Sequence, residues 1–498
     1  MKAERPYPKA TITEKGARAL RSGHPWVYEG EVTSLEPTPG TSPDDARAGE
    51  ALADRGDDAR AAETLAGLGA AASPDEGARA TSAPADSPVE NGSLVDVVGP
   101  KGTYLGTGLL SLKSRIRVRL VTRNANDTFG PAFWERKVRW AWEYRKAVMG
   151  EDISACRLIF SEADEFPGLI VDRFGDVLVA EVLSVGMERH KDLVFSALVR
   201  VLAEDGVRLR GIYERNDVAV RELEGLPQEK GWWMPAESTV AAGVSGSVAT
   251  GSSDRPAAGL ASLPPMDPGA APLPADPGPT ETQIVENGVR YHVDFENGQK
   301  TGFFLDQKYN RRAVARIARG RRVLDCCTHT GSFALNAALG GAEFVRAVDV
   351  SAQAIEMARA NAQLNGSDVA SRMDFTVANV FDLLPQVEEE RNPERFDLIV
   401  LDPPAFTKSR KTIRSAERGY REINYRAMRI LPRGGYLVTC SCSHFMDPER
   451  FRRMLADAAR DAGVTLRQVE ERQQAPDHPI VWGVPETDYL KCLIFQVV

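Results

Sequence analysis

Residues 322–351 decide the fold, and they are RVLDCCTHTGSFALNAALGGAEFVRAVDVS. The apolar start predicts a buried strand, the small and polar residues Asp325–Gly331 predict a tight turn, and Phe333–Leu339 has helical spacing. A second apolar run begins at Phe344 and ends at the acidic Asp349. This order is the layout of a nucleotide-binding βαβ unit: a strand, a turn, a helix and a second strand, which ends in an acid about 20 residues after the turn.

The turn lacks the glycine pattern of dinucleotide-binding folds. A G-x-G-x-x-G fingerprint would cradle a pyrophosphate, but Gly331 is the only glycine in the turn. The acid that ends the second strand can still accept hydrogen bonds from both hydroxyls of a ribose. A cofactor with a ribose and no phosphate fits best, and we expect S-adenosylmethionine (SAM).

Strands alternate with helices from about residue 284 to the C-terminus. This alternation predicts an α/β fold with a doubly wound, mostly parallel sheet, in which ligands bind outside the carboxyl ends of the strands. Three stretches meet that condition, so we expect them to face one crevice. They are the turn 325–331 with Asp349, the segment 402–406 and the segment 440–444.

The second of these segments is Asp402-Pro403-Pro404-Ala405-Phe406. Proline fixes the backbone and lacks an N–H, so the carbonyls that precede the two prolines stay free to accept hydrogen bonds. With the Asp402 carboxylate they could hold the donor edge of a planar base, while Phe406 could serve as a stacking platform. A plain β–α turn is the alternative interpretation.

The third segment contains Cys440 and Cys442, which share one face if the preceding strand continues. A thiolate is a strong nucleophile that can attack carbon 6 of cytosine and so activate carbon 5. Spacing does not choose between the two cysteines, and a buried core thiol is the alternative for either. The spacing matches neither a common zinc site nor the usual C-x-x-C redox motif, so no metal is expected. We interpret His444 as a satisfied polar residue rather than a base.

Two stretches rich in Ala, Gly, Pro and Ser divide the rest of the chain. They have too few core residues to fold, which predicts a disordered insertion at about 37–92 and a flexible linker at 236–280. Short β-like runs on both sides of the insertion predict one small β domain over 1–123. The pattern also predicts an α+β domain over 124–235 and a catalytic domain over 281–498.

A basic ladder ends the predicted β domain. Lys113, Arg115, Arg117 and Arg119 alternate, which puts all four on one face of a strand. They form either a phosphate-contact surface or an ordinary solvated face. The net charge of −8 does not exclude RNA, because eleven acids and four bases between residues 41 and 90 supply seven of those charges.

Nothing in the sequence predicts a membrane segment or an export signal. No run of about 18 uncharged apolar residues is present, and the N-terminus has no apolar signal core. The six cysteines are few and clustered, unlike a disulfide framework. We therefore expect a cytoplasmic protein that does not contact membranes, and a homodimer is compatible with the sequence.

A set of motifs resembles the ribosomal RNA large subunit methyltransferase I family, class I methyltransferases that form 5-methylcytosine in 23S rRNA. The motifs are GHPWVYEGEV (23–32), FPGLIVDRFGD (166–176), ERNDVAVRELEG (214–225), KTGFFLDQ (300–307), VLDCCTHTGSFAL (323–335), LDPPAF (401–406), TCSCSH (439–444) and QAPDHP (474–479). Each predicted domain contains at least one of these motifs. The resemblance implies a PUA-type RNA-binding domain, a family-specific central domain and a Rossmann-like methyltransferase domain, with large-subunit rRNA as the partner.

The resemblance also implies roles for individual residues. The residues that would hold SAM are Asp325, Thr328, Thr330, Gly331, Asp349, Asn379, Gln307 and Asp402. Asn379 stands where the family often has an acid that contacts adenine. Cys442 matches the family's nucleophile and acts with Asp402, while Pro403, Pro404 and Phe406 would contact the base. No cysteine lies in the Asp-Pro-Pro loop, unlike two-cysteine cytosine methyltransferases, so the release step is open.

Two rival functions remain at this level. Asp-Pro-Pro loops also serve the methylation of amino groups, so the same architecture could methylate a nitrogen, for example on guanine. A non-catalytic RNA-binding assembly factor that retains the fold is the second rival. The first needs no nucleophilic cysteine, and the second need not bind SAM.

Overall fold

The structure is a computed structural model that describes residues 5–38, 89–235, 273–389, 396–407 and 412–498. Most of the predicted insertion and most of the predicted linker lie outside these residues. At their edges, Val89 is buried in the core of the N-terminal sheet, and Leu273 packs against the core of the central domain. Within the ranges above, no helix is long and apolar enough to cross a membrane.

The N-terminal part is a six-stranded sheet with one helix, α1 (Glu14–Arg21). Its strands are β1 (Lys9–Ile12), β2 (Trp26–Tyr28), β3 (Val32–Glu36), β4 (Leu94–Val98), β5 (Tyr104–Leu110) and β6 (Ile116–Thr122). They lie in the order β2-β6-β5-β4-β1-β3, and β1 pairs in parallel with β4. Strands from both sides of residues 39–88 therefore share one sheet.

The basic ladder differs from both interpretations of the sequence. Arg117 is buried and forms an ion pair with Glu29 at 2.6 Å, while Arg119 forms one at 2.9 Å with Glu224 of the central domain. Lys113 and Arg115 precede β6 and are exposed. Arg117 and Arg119 therefore form neither a solvated face nor a free phosphate-contact surface, because acids from other elements pair with them, and the other two residues lie outside the strand.

The central part is a five-stranded sheet with the order β11-β10-β9-β8-β7. Its elements are α2 (Pro131–Met149), β7 (Ala155–Phe160), β8 (Leu169–Phe174), β9 (Val177–Val182), α3 (Val185–Glu188), α4 (Lys191–Glu204), β10 (Gly211–Asn216), α5 (Val220–Glu224) and β11 (Glu229–Trp232). Trp134, Val138 and Trp142 form the buried stripe of α2, as expected for apolar residues at i, i+4 and i+8.

The C-terminal part begins with a hairpin and continues into a seven-stranded sheet. Its elements are β12 (Glu281–Glu286), β13 (Val289–Asp294), α6 (Lys308–Ala318), β14 (Arg322–Cys326), α7 (Ser332–Leu339), β15 (Phe344–Asp349), α8 (Ala352–Leu364), α9 (Ser367–Ser371), β16 (Met373–Val377), α10 (Val380–Glu389), β17 (Leu398–Leu401), α11 (Ile413–Ile430), β18 (Tyr436–Ser441), α12 (Pro448–Ala462), β19 (Leu466–Arg472) and β20 (Lys491–Val497). The sheet order is β16-β15-β14-β17-β18-β20-β19. The first five strands are parallel and β20 is antiparallel to β18, which confirms the predicted α/β architecture.

Buried charges join the central and C-terminal parts. Arg157 on β7 makes two hydrogen bonds to Asp172 on β8, at 2.7 and 2.8 Å. The same carboxylate accepts a hydrogen bond at 2.6 Å from the hydroxyl of Thr301, which precedes α6. The backbone N–H of Arg157 donates at 2.9 Å to Asp477, which lies after β19. These contacts fix the loop before α6 against the central sheet.

We predict that Asp172→Ala lowers the free energy of unfolding by about 3–5 kcal/mol, because it leaves the buried Arg157 without its counter-charge. Chemical denaturation of the purified variant measures the loss. Asp176→Ala is the matched control, since Asp176 is half-exposed and lies 3.7 Å from Arg210, so its removal should cost less than about 1 kcal/mol. Equal losses in both variants would contradict this account of the interface.

Candidate functional site

The ends of four parallel strands lie side by side at one edge of the C-terminal sheet. Cys326 at the end of β14 pairs with Val348 on β15 and with Leu401 on β17, and Leu401 pairs with Thr439 on β18. The segments that follow these strands therefore emerge at the same edge. This is the crevice that the sequence predicted for the turn, the Asp-Pro-Pro segment and the two cysteines.

The turn 325–331 is held by the carboxylate of Asp325. It accepts hydrogen bonds from the Thr328 hydroxyl at 2.5 Å and from the Ala334 N–H, in the first turn of α7, at 2.9 Å. Gly331 has φ +82°, and a Cβ there would lie 3.0 Å from the Cβ of Ala358 on α8. Glycine therefore allows both the left-handed conformation and the close approach of the two helices.

Two polar atoms in this turn are buried without a hydrogen-bond partner among the described residues. They are the second carboxylate oxygen of Asp325 and the hydroxyl of Thr330. An unpaired buried polar atom costs about 1–3 kcal/mol, so each is suited to a ligand that supplies the missing partner.

Asp349 ends β15 with its side chain fixed by backbone donors. One oxygen accepts from the His329 N–H at 2.9 Å, and the other accepts from the Ser351 N–H at 2.9 Å. Each carboxylate oxygen can accept a further bond, so this group can still receive two ribose hydroxyls. Asn379 lies beyond the next strand, is exposed, and accepts a bond from the Phe381 N–H at 3.0 Å. It caps the start of α10, and its contact with the cofactor stays a prediction.

A chain of side-chain hydrogen bonds reaches Asp402 from α6. Asn310 donates to the Gln307 carbonyl oxygen at 2.6 Å, and the Gln307 amide donates to Asp402 at 2.9 Å. Asp402 is partly buried at the end of β17. Burial, together with the charge of Asp306, raises its pKa to about 7. Asp402 is therefore poised between its neutral and charged forms near neutral pH.

The described residues give this pocket an acidic character that suits SAM. Asp325, Asp349 and Asp402 repel one another, and burial raises the pKa of Asp325 to about 7. A SAM molecule carries a sulfonium and an ammonium group, whose positive charges would relieve this repulsion. Its ribose hydroxyls match the free acceptor capacity of Asp349. The donors and acceptors present therefore fit the expected cofactor.

The two cysteines of the third segment occupy different environments. Cys440 is buried in the core opposite Cys492 on β20, whereas Cys442 follows the last residue of β18 and is partly exposed. Burial raises the pKa of the Cys442 thiol, while the charges of Lys300 and Lys491 oppose that rise. Of these two cysteines, Cys442 is therefore the more accessible to a substrate, and its role as nucleophile stays a prediction.

The residues predicted to contact the base belong to the segment 402–406. Pro403 is buried and Pro404 is exposed. The Phe406 ring packs against Tyr420 on α11, with centroids 4.6 Å apart, and against Phe381 at 5.7 Å. Other rings thus contact much of Phe406, and its role as a stacking platform stays a prediction. Within the described ranges, no group of three or more His, Cys, Asp or Glu side chains could hold a metal ion.

Comparisons with known proteins agree with this geometry. A model for S-adenosylmethionine-dependent methyltransferases matches residues 267–496, and one for PUA-like domains matches 10–50 and 82–123. A Klebsiella pneumoniae protein named ribosomal RNA large subunit methyltransferase I is 36% identical over 486 residues, which is 97% of each chain. A protein of the same name from Aeromonas salmonicida is 38% identical over 412 residues, covering 82% of this chain and 91% of the relative.

This chain belongs to the ribosomal RNA large subunit methyltransferase I family. Solved structures share its fold across almost the whole length. A candidate SAM-dependent methyltransferase from Streptococcus mutans has a TM-score of 0.66 at 17% identity, and the match covers 98% of this chain and 100% of that one. SMU.776, a candidate methyltransferase solved with SAH, matches equally well. The chain is thus a SAM-dependent methyltransferase with a PUA-like N-terminal domain.

Two residues of this family member belong to the site although the sequence analysis assigned them no role. Asp306 is buried next to Asp402; one of its oxygens accepts from the Tyr489 hydroxyl at 2.7 Å, and the other has no partner among the described residues. Lys491 donates to the carbonyls of Ser443 at 2.7 Å and Tyr489 at 2.8 Å, beside Cys442. A charged residue inside the apolar run 490–495 was the signal for Lys491.

We predict that Asp349→Ala weakens SAM binding about 10- to 100-fold, because two hydrogen bonds to a charged group are worth about 1.5–3 kcal/mol each and water recovers part of that loss. Isothermal titration calorimetry measures the change. Asp374→Ala is the matched control, because Asp374 is an acid on the neighbouring strand β16 whose side chain is half-exposed and pairs with Arg346. Wild-type affinity in Asp349→Ala would exclude the ribose contact.

Proposed function

We propose that this chain methylates carbon 5 of a cytosine in large-subunit ribosomal RNA through a covalent adduct with Cys442. One observation carries the proposal. The partly exposed Cys442 follows β18, next to the strand that ends in Asp402, at the sheet edge that holds the SAM pocket. The names of the relatives supply the RNA, since both refer to methyltransferases of the large ribosomal RNA subunit.

A nucleophile is required because carbon 5 of cytosine does not attack a methyl donor by itself. The Cys442 thiolate forms a bond to carbon 6, and the ring electrons shift toward carbon 5 and nitrogen 3. Neutral Asp402 donates a proton to nitrogen 3, which balances the negative charge that the attack brings in. Carbon 5 is then an enamine carbon that can take a methyl group.

The bound SAM supplies that methyl group. Water then takes the proton from carbon 5, the electrons of that C–H bond form the double bond to carbon 6, and the bond between carbon 6 and Cys442 breaks. Nitrogen 3 returns its proton to Asp402. The thiolate leaves and the aromatic ring is restored. Lys300 and Lys491 help in both directions, because their positive charges stabilise the thiolate that attacks and the thiolate that leaves.

The arrangement of the chain suits an RNA substrate. A base inside a helix hides carbon 6 from a thiol, so the target has to leave its stack before Cys442 reaches it. The PUA-like domain adjoins the crevice through His24, whose ring lies 3.8 Å from Glu486. Lys113 and Arg115 stay exposed on that domain and remain available for phosphate contacts.

We predict that Cys442→Ala binds SAM normally but loses methyl transfer by at least a factor of about 1,000, because the carbon nucleophile is no longer generated. Transfer of labelled methyl groups to unmodified 23S rRNA measures the rate. Cys440→Ala is the matched control: it removes a core thiol two residues away, so it should reduce stability more than activity.

Two further results separate this chemistry from its rivals. RNA that contains 5-fluorocytidine should become covalently attached to the wild-type enzyme, since fluorine at carbon 5 cannot leave as a proton does, and Cys442→Ala should form no such complex. Full activity of Cys442→Ala would instead support methylation of a nitrogen. Absence of SAM binding to the wild-type protein would support a non-catalytic factor.

We predict a bell-shaped dependence of kcat/KM on pH with a level stretch that begins near pH 7. Burial raises the pKa of Asp402 to about 7 and raises the pKa of Cys442 above its usual range, so Asp402 loses its proton at a lower pH than Cys442 does. The rate should therefore rise to about pH 7, stay level while the loss of neutral Asp402 offsets the gain of thiolate, and fall only above the pKa of Cys442. Asp402→Asn should be slower and should keep rising above pH 7, because an amide does not titrate there. A level stretch that persists in this variant would refute the proton-donor role.

A further inference from the structure

Trp482 is the most exposed large hydrophobic side chain of the described residues, with 95% of its surface open to solvent. Within those residues, neither an aromatic ring nor a cationic group lies against its indole. Trp140 on α2 is also exposed, at 59%, but the Arg136 guanidinium lies 5.4 Å from the centre of its ring. The Trp482 indole therefore has a ring face that is free to contact a partner.

The loop that carries Trp482 is held by its own hydrogen bonds. The Val481 N–H donates to the Thr487 hydroxyl at 2.9 Å, and that hydroxyl donates to the Val484 carbonyl at 2.7 Å. Gly483 has φ +97°, and a Cβ there would lie 3.1 Å from the carbonyl oxygen of Ser22 in the PUA-like domain. The indole is therefore displayed by a braced loop rather than by a loose end.

The same loop also carries Glu486, which interacts with residues of two other parts of the chain. Glu486 faces His24 of the PUA-like domain, and its charge raises the pKa of His444, against the larger lowering by burial. Trp482 is four positions before Glu486 in the chain, so the Cα atoms of the two lie within roughly 14 Å of each other. His444 is two residues from Cys442. Trp482 thus lies at the junction between the PUA-like domain and the nucleophile.

We propose that Trp482 is a stacking platform for an unstacked RNA base close to the target nucleotide. This inference rests on the proposed function in so far as the substrate is RNA. A strand that contacts the PUA-like domain while its target reaches Cys442 has to cross this junction. Expelling the target from its helix also frees neighbouring bases, and every base has a face that can stack on an indole.

The test compares Trp482→Ala, Trp482→Phe and the control Trp140→Ala, with unmodified 23S rRNA as the probe. Stacking on one aromatic side chain should give Trp482→Ala a KM and an equilibrium Kd for this RNA about 5- to 100-fold above wild type. The kcat at saturating RNA and the Kd for SAM should stay unchanged. Trp482→Phe should recover most of the affinity, and Trp140→Ala should resemble wild type.

An unchanged Kd for RNA in Trp482→Ala would overturn the proposal. The same holds if this variant keeps its affinity for RNA and instead loses an association with a protein. Loss of affinity in Trp140→Ala equal to that in Trp482→Ala would overturn it too, because a general surface effect would then suffice. The Kd measurement does not depend on which atom is methylated. If the wild-type enzyme methylates a nitrogen and Trp482→Ala still binds RNA more weakly, carbon-5 chemistry is refuted but the stacking site is supported.

Discussion

The buried ion pair between Arg157 and Asp172 is the contact on which the site depends most. It lies in the central sheet, yet its carboxylate also holds the hydroxyl of Thr301. Thr301 belongs to the loop that supplies Lys300, Asp306 and Gln307 to the crevice. Charges buried in a protein need partners of fixed geometry. The central domain therefore holds in place the loop that carries these three residues.

A second constraint is the crowding of carboxylates around the cofactor pocket. Burial removes Asp325 and Asp402 from water, and each also feels the negative charge of a neighbouring acid. In the ligand-free protein these groups are held in an unfavourable state that a cationic ligand relieves. The same environment keeps a neutral fraction of Asp402 near pH 7. The acidity that suits a cationic cofactor and the raised pKa of Asp402 thus have one physical origin, the burial of carboxylates in the crevice.

Sequence patterns located the pocket because its main elements are local. A strand that runs into a turn of small residues, followed by a helix and an acid, needs only neighbouring residues to form. The same is true of the prolines at 403 and 404, whose rigidity is intrinsic. The basic ladder failed as a prediction because its outcome depends on distant partners. Alternation gives the side of the strand, but Glu29 and Glu224 decide that two of the arginines are paired.

The sequence alone determined the α/β class, the SAM pocket, the Asp-Pro-Pro loop and the pair of candidate nucleophiles, since each is written in contiguous residues. The tertiary structure decided which of the two cysteines is accessible, because Cys440 is buried opposite Cys492 of another strand while Cys442 is partly exposed. It also brought Asp306 and Lys491 to the site across long sequence separations. Finally, it set the pKa of Asp402 near neutrality, which follows from burial and from the neighbouring charges that folding assembles.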